Sequence, residues 1–515
     1  MTDHGGVTLS ATETPAPTRA QRAVTEPPRP RGIRGRRGAA WPTWAAGVAF
    51  LAATLAAQRT TVLGDLTETG DLAADSLRSE HAWSQVDGVF SRWDYHHPGP
   101  VLFWLKSLAE RLLTPLGLDP VGAQLVGTAV LATLSLVALA LALRGPTTSR
   151  WLGPAVLALA WVGLPDGLVL VPWGPVVGNW FLVLGIAGVV AAVRGAGWGV
   201  PVALVGALGL LHLHVLFVPL AGAVLGATVL LVARRAPAGA RLRRRSVLLP
   251  SAAVAVAMLA PLVVALVRGR APWADYLRVS GDRRAGLDDA TWVVGLLRVL
   301  RLLAPSVDGS GPVLAGAAGL VGVVLLVVAV GLALRGSTAP TRLLGASALV
   351  VAAYLLAVSR MDFLTAETIG RVLPVVVLAG LVAEVAARAR PAWVLVAAAL
   401  AVAALVVANL GRPPVAAVRH EGALRGSGAA ERALADFRRS GATLLVVDHA
   451  TTPWNSYAGA AALTLLAERQ HVDHCVAVRR MPLWAEPSTV CAASTQGALR
   501  VFFTSPDTFR LSRVR

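Results

Sequence analysis

Residues 91–100 read Ser-Arg-Trp-Asp-Tyr-His-His-Pro-Gly-Pro, about 30 residues beyond the first apolar run of a mostly apolar chain. Ionisable side chains so close to a bilayer are costly to keep and point to function. Upstream lies a second group, four carboxylates in Gly64-Asp65-Leu66-Thr67-Glu68-Thr69-Gly70-Asp71-Leu72-Ala73-Ala74-Asp75. Asp71 stands where an amphipathic helix should begin, and Asp75 follows one turn later on the same face. A carboxylate there could take the proton from an attacking hydroxyl, which is general-base chemistry. Helix N-capping by Asp71 is the plainer alternative. Asp65 and Asp75 compete with Asp71 for the base role.

The elements that must hold these residues are membrane helices. The chain has 515 residues, 55% of them hydrophobic and 15% charged, with a mean hydropathy of +0.63. Those values exclude an ordinary soluble enzyme and indicate a polytopic membrane protein. The formal net charge of +18 resides in arginines, since Lys106 is the single lysine. The arginines cluster at the ends of apolar runs, as positive-inside topology requires, so the charge calls for no nucleic-acid partner.

Windows of about 20 apolar residues place spans near 41–58, 121–143, 152–170, 174–193, 200–214, 216–233, 246–267, 311–335, 342–358, 368–387 and 391–408. Residues 1–40, rich in Pro, Thr, Gly and Arg, read as a disordered cytosolic tail. Trp41–Ala57 reads as a retained first span rather than a cleaved signal peptide. Arg144–Arg150, Arg194, Arg234–Arg245, Arg335–Arg342 and Arg388–Arg390 fall on one side only if residues 98–116 do not cross the membrane. Val101–Leu113 carries Lys106, Glu110 and Arg111, which suit an interfacial helix. Residues 59–120 then form an outer loop with amphipathic helices near 71–85 and 99–114, and 268–310 form a second outer loop.

The fold class expected is therefore an all-α polytopic membrane protein of about 11 spans with outer-face juxtamembrane helices. Residues 41–409 make up the membrane domain, and 410–515 a small exported α/β domain. In that last segment the pattern predicts helices over Glu431–Ser440 and Ser456–Gln470, with strands at Thr443–Asp448, Val472–Val478 and Leu499–Thr504. Cys475 and Cys491, the only cysteines, could form a disulfide in an exported domain or stay unpaired.

An acidic residue opening an outer helix, then Gly88-x-Phe90-Ser91-Arg92 and His97-Pro98-Gly99-Pro100, resembles the first outer loop of bacterial GT-C membrane glycosyltransferases. The similarity is to high-GC bacterial members with a GxYSR…HPGP loop, with Phe90 replacing the tyrosine. Pro172-Trp173-Gly174-Pro175 is similar to a WNP turn of that family, with Gly174 in place of asparagine. His212-Leu213-His214, followed by Pro219, resembles its QxH…P stretch without the glutamine. The resemblance covers roughly residues 41–410. It implies a sugar donor carried on a polyprenyl phosphate, a glycan or lipid acceptor in the cell envelope, and a plasma-membrane location. It also implies Asp71 as base, with Arg92 and His97 contacting donor phosphate or acceptor. Phosphate leaving with the bond's electrons gains negative charge that arginine and histidine donors can stabilise.

His96, His212 and His214 are further candidate binding residues near the outer face, as are Asp166 and Asn179. Arg371 is a candidate phosphate ligand, although it stands four residues after Glu367 as in a helix salt bridge. No zinc-type spacing, Walker loop or dinucleotide fingerprint is present. No cofactor is therefore assigned, and metal dependence is left open. A secondary transporter or flippase of lipid-linked sugars is a second reading, although no internal repeat supports it. A non-catalytic envelope scaffold is a third.

Overall fold

The structure, a computed structural model, describes residues 40–64, 66, 68–88, 90–91, 95–144, 150–164, 166–233, 237–269, 339–358, 428–448, 457–477, 490–491, 495–505 and 508–514, with scattered positions between 274 and 383. The chain divides at Trp41, and Pro42–Arg515 form one compact unit. The tail expected over 1–40 lies outside the described residues except for Ala40.

Apolar helices occupy the expected span positions. They are α1 (Trp41–Ala57), and, beyond the first loop, α4 (Pro120–Leu143), α5 (Leu152–Gly163), α6 (Asp166–Leu170), α7 (Gly174–Val193), α8 (Gly199–Leu213), α9 (Val218–Ala233), α10 (Arg245–Val267) and α11 (Ala339–Val358). Among the described residues, α4, α7, the Val215–Ala233 stretch and α10 are long and apolar enough to cross a bilayer. Of the spans expected at 311–335 and 368–387 only scattered residues are described, and the span expected at 391–408 lies outside the described residues.

One expectation changes. The single span placed at 152–170 is two helices, α5 and α6, because Leu164 is extended (φ −104°, ψ 132°). Leu164 precedes Pro165, whose ring disfavours helical backbone in the residue before it. Other helix starts follow local chemistry. The Asp119 side chain accepts the Gly122 N–H at 2.5 Å and caps α4, with Pro120 in the first turn.

Helices α7 and α8 pack backbone to backbone. A Cβ on Gly206 would lie 2.3 Å from the Gly185 nitrogen. Lipid offers apolar side chains no incentive to leave it, so close contact between small residues is what holds such helices together. Trp180 fills the interior, its indole N–H donating to the Leu168 carbonyl at 2.8 Å.

The loop between α1 and α4 forms α2 (Gly70–Glu80) and α3 (Val101–Leu113), joined through the short antiparallel pair β1 (Phe90–Ser91) and β2 (Tyr95–His96). Val101, Leu102, Phe103 and Lys106 of α3 are buried, whereas Leu108 and Leu112 are exposed. That division fits a helix lying along an interface rather than through it.

The C-terminal residues build helices α12 (Gly428–Ser440) and α13 (Tyr457–Arg469) on a four-stranded sheet. Its strands are β3 (Leu445–Asp448), β4 (His474–Ala477), β5 (Leu499–Ser505) and β6 (Thr508–Arg513), in the order β4-β3-β5-β6. β3 runs parallel to β4 and β5, and β6 runs antiparallel to β5. Cys475 is disulfide-bonded to Cys491. This layer is docked on the first loop. Ala73 and Leu77 of α2 pack with Ala461 and Leu465 of α13 and Val476 of β4.

The His97-Pro98-Gly99-Pro100 turn is fastened to the end of α8. The Gly99 N–H donates to the His212 carbonyl at 3.1 Å, and a Cβ on Gly99 would lie 1.9 Å from His212 Nδ1. Gly99→Ala should therefore force the turn off α8 and lower the unfolding temperature of the purified protein, at a cost of ~1–3 kcal/mol for overpacking. An unchanged melting curve would show that this contact is dispensable.

Candidate active site

Two groups of polar side chains assemble on the first loop. The first surrounds α2. The chain enters that helix through extended Thr69 and Gly70, the latter at φ 58°, a backbone conformation in which a Cβ would be strained. Asp71 follows in the first turn, exposed, and accepts a hydrogen bond from the Tyr457 hydroxyl at the start of α13. Asp75, one turn on, is only 2% exposed. The α2–α13 seam and α3 cover the middle of the helix and leave its amino end open, so two aspartates on one nominal face acquire opposite surroundings.

Beneath them lies Glu68, a carboxylate with no exposed surface. Its Oε2 is 2.9 Å from an Arg469 nitrogen, and its Oε1 is 3.7 Å from Lys106 Nζ. Ser76 Oγ donates to Oε1 as well. Lys106 also donates to the Leu72 carbonyl at 3.3 Å. Gln124, from α4, donates to Ser76 Oγ at 3.1 Å and to Glu110 at 2.5 Å. Arg469 reaches Glu80 at 3.7 Å, and His81 stands 3.5 Å from Glu468.

Lys106 and Arg469 are the cations that face these carboxylates. Burial pushes Asp75 up to about 8, against the opposing pull of Lys106. Burial likewise raises Glu110 to about 7, against its hydrogen bond from Gln124. Burial alone would lower the Arg469 guanidinium, but Glu68, Glu110 and Glu80 outweigh it and hold it above its ordinary range. At neutral pH Asp75 is therefore a proton donor, whereas a base must begin ionised.

The second group is made of histidines. The His97 ring lies on the His214 ring, with centroids 4.0 Å apart and planes tilted by 33°. The Gly88 N–H donates to the His97 carbonyl at 2.8 Å and fixes the turn. His214 Nδ1 accepts the Leu216 N–H at 3.1 Å, so in the neutral ring the proton sits on Nε2. His212 Nε2 lies 2.6 Å from the Met258 carbonyl of α10, which can only accept, so that nitrogen carries the proton. Trp104 packs near His212, with centroids 6.4 Å apart, and stacks with Trp83 at 6.0 Å.

The structure thus brings together His97, His212 and His214 of the sequence candidates, while Asp71 and Asp75 belong to the carboxylate group. Asp65, Arg92 and Arg371 lie outside the described residues. His96 is described only as backbone, paired with Phe90 across β1 and β2. Asn179 is buried in α7, and neither amide atom has a hydrogen-bond partner among the described residues.

Sequence reasoning missed Glu68, Ser76, Gln124, Tyr457 and Arg469 as members of one network. Gln124 did carry a signal, as a polar residue in the opening turns of an apolar helix. Arg469 carried none, because only docking of the C-terminal layer brings it near the loop.

Comparison with known proteins bears on the whole architecture. ArnT from Cupriavidus metallidurans, solved with undecaprenyl phosphate bound, is similar to this chain at a TM-score of 0.56. The match covers 89% of this chain and 93% of ArnT at 13% identity. Together with the apolar helices and the polar first loop, that match decides the architecture. The chain has the fold of ArnT.

ArnT in its apo state matches at 0.52 and 14% identity, over 90% of this chain and 93% of that one. The archaeal oligosaccharyltransferase AglB from Archaeoglobus fulgidus, solved with an inhibitory peptide and a dolichol-phosphate, matches at 0.42 and 12% identity, over 87% of this chain and 65% of AglB. No family model and no curated protein matches. Among the described residues, no group of three or more His, Cys, Asp or Glu side chains could hold a metal ion.

The raised carboxyls have a measurable consequence. Asp75 and Glu110 keep protons in the folded state that they would release when unfolded. Their contribution is complete below about pH 4 and is lost as the pH rises through about 7 to 8. The unfolding temperature should fall between pH 5 and pH 8.5, and Asp75→Asn, which cannot ionise, should make that fall shallower. An identical slope in the variant would rule out a buried, protonated Asp75.

Proposed function

We propose that this chain is a membrane glycosyltransferase. It transfers a sugar from a polyprenyl-phosphate donor to a glycan or lipid acceptor of the cell envelope, at the outer face of a bacterial plasma membrane. The observation that carries this reading is the fold match to ArnT over nearly the whole of both chains, that protein having been solved with undecaprenyl phosphate. Support from this chain's own residues comes from the first loop, which exposes the Asp71 carboxylate and, separately, stacks His97 on His214.

In the proposed reaction the acceptor oxygen attacks the anomeric carbon, and the bond from that carbon to the phosphate oxygen breaks. The bonding electrons leave on the phosphate, and the acceptor proton passes to a first-loop carboxylate, with inversion at the sugar. Asp71 suits the proton-accepting role better than Asp75, because Asp75 is already protonated at neutral pH. Asp65 remains a candidate by position alone. Growing charge on the departing phosphate would be met by histidine N–H groups, with His97 and His214 already stacked. His212 fits a supporting role, since its Nε2 proton is committed to Met258. Arg92, His96 and Arg371 are proposed phosphate or acceptor contacts.

The proposed topology has a cytosolic amino terminus, with the first loop and the C-terminal layer both outside. The packing of α13 on α2 supports the shared side, since docked elements face the same compartment.

Purified protein supplied with synthetic polyprenyl-phosphate pentoses and hexoses, plus envelope acceptor, should release polyprenyl phosphate and form a glycosidic product. Asp71→Asn should lower kcat by about 10²-fold or more, the scale of general-base assistance. Wild-type activity in Asp71→Asn would remove the base assignment. No transfer from any such donor would overturn the glycosyltransferase reading itself.

A further inference from the structure

We infer that the C-terminal layer supplies part of the reaction site, with Tyr457 as the positioning residue for Asp71. This rests on the reading of Asp71 as the base. Three independent features of the structure converge on it.

The first is the contact. Tyr457 opens α13, and its hydroxyl donates to Oδ1 of Asp71, which opens α2. A carboxylate has two oxygens, and a donor fixed on one leaves the other to receive a proton while limiting rotation of the group. The second feature is the fit. Gly70, at φ 58°, presents its Cα where a Cβ would stand 3.5 Å from the Tyr457 hydroxyl and 3.7 Å from the Ala458 Cβ. The two helix amino ends therefore meet at van der Waals distance. Both direct the positive end of a helix dipole toward the Asp71 carboxylate.

The third feature is what keeps α13 in place. Ala461 and Leu465 pack on Ala73 and Leu77 along the seam. At the far end of α13, Arg469 is tied to Glu68 at 2.9 Å and to Glu80 at 3.7 Å. Its carboxyl end is thus anchored in the buried ion network, and its amino end delivers the tyrosine. A docking surface alone would not require a polar side chain on Asp71, an exposed first-loop carboxylate that suits the chemistry.

Tyr457→Phe tests the assignment, because the ring that faces Gly70 is kept and only the hydroxyl is lost. Loss of a hydrogen bond to a charged group corresponds to roughly tenfold or more. That loss should fall on kcat with the donor KM unchanged. In the Asp71→Asn background the same substitution should have almost no further effect, since groups that act through one another are not additive. Wild-type kcat in Tyr457→Phe, or equal losses in both backgrounds, would overturn the proposal while leaving the glycosyltransferase reading intact. Absence of transfer by the wild-type protein overturns both. A separate measurement needs no turnover. Gly70→Cys combined with Ala458→Cys should cross-link under mild oxidation in the full chain, since a Cβ on Gly70 would lie 3.7 Å from the Ala458 Cβ, and failure to do so would remove the meeting of helix ends on which the inference stands.

Discussion

The first loop and the C-terminal layer are joined by a carboxylate that cannot reach water. Glu68 is enclosed completely, and an unpaired charge in such a place costs several kcal/mol. Two cations and a hydroxyl answer it. Lys106 comes from the interfacial helix α3, Ser76 from α2 and Arg469 from the last turn of α13. No one of these elements satisfies Glu68 alone. A buried ion pair of this kind adds little net stability over an apolar substitute, but it strongly disfavours arrangements that separate the partners. Its effect is on register, and it fixes which turn of α13 lies on which turn of α2.

That register sets the character of the neighbouring acids. Once α13 is docked, the middle of α2 is covered, and Asp75 with it. Burial there outweighs the pull of the nearby cations, raising Asp75 to about 8 and Glu110 to about 7. Asp71, a single turn away, stays at the open amino end of the helix and meets Tyr457 instead. The difference between a proton donor and a candidate acceptor arises from one turn of helix and the edge of a packing seam.

Much of this architecture was legible in the sequence. Apolar windows located the described spans, because a helix crossing lipid has to be apolar over most of its length. Charge parity kept Val101–Leu113 out of the bilayer, and the exposed Leu108 and Leu112 fit that placement. The α/β pattern of the tail also showed, through apolar strands between amphipathic helices. What the sequence could not show was contact. Asp71 and Asp75 have identical side chains, and only the seam with α13 separates them. Lys106 was legible as a reason for the helix to avoid lipid, yet not as the partner of Glu68. His97 and His214 lie on segments whose meeting depends on the absence of a side chain at Gly99, a fact visible only once the His212 ring is in place. The break after Leu164 could have been read from Pro165, but the apolar run on either side obscured it.

The loop is held at two ends by different means. At the membrane end, backbone contacts between Gly99 and the His212 carbonyl and between Gly88 and the His97 carbonyl lock the turn against α8. At the far end, side chains of α13 grip α2 by an apolar seam and an ion pair. Backbone locking tolerates no added atom, whereas the side-chain grip depends on charges and is sensitive to protonation. A segment tethered at one end would let its carboxylate wander relative to the histidines. Tethering at both ends removes that freedom before any ligand arrives, which is the condition under which positioned acids and bases are effective. On the proposed chemistry, the C-terminal layer therefore belongs to the site: without it the open end of α2 would lose Tyr457 and the ion pair together, and the first loop would keep only its membrane-side hold.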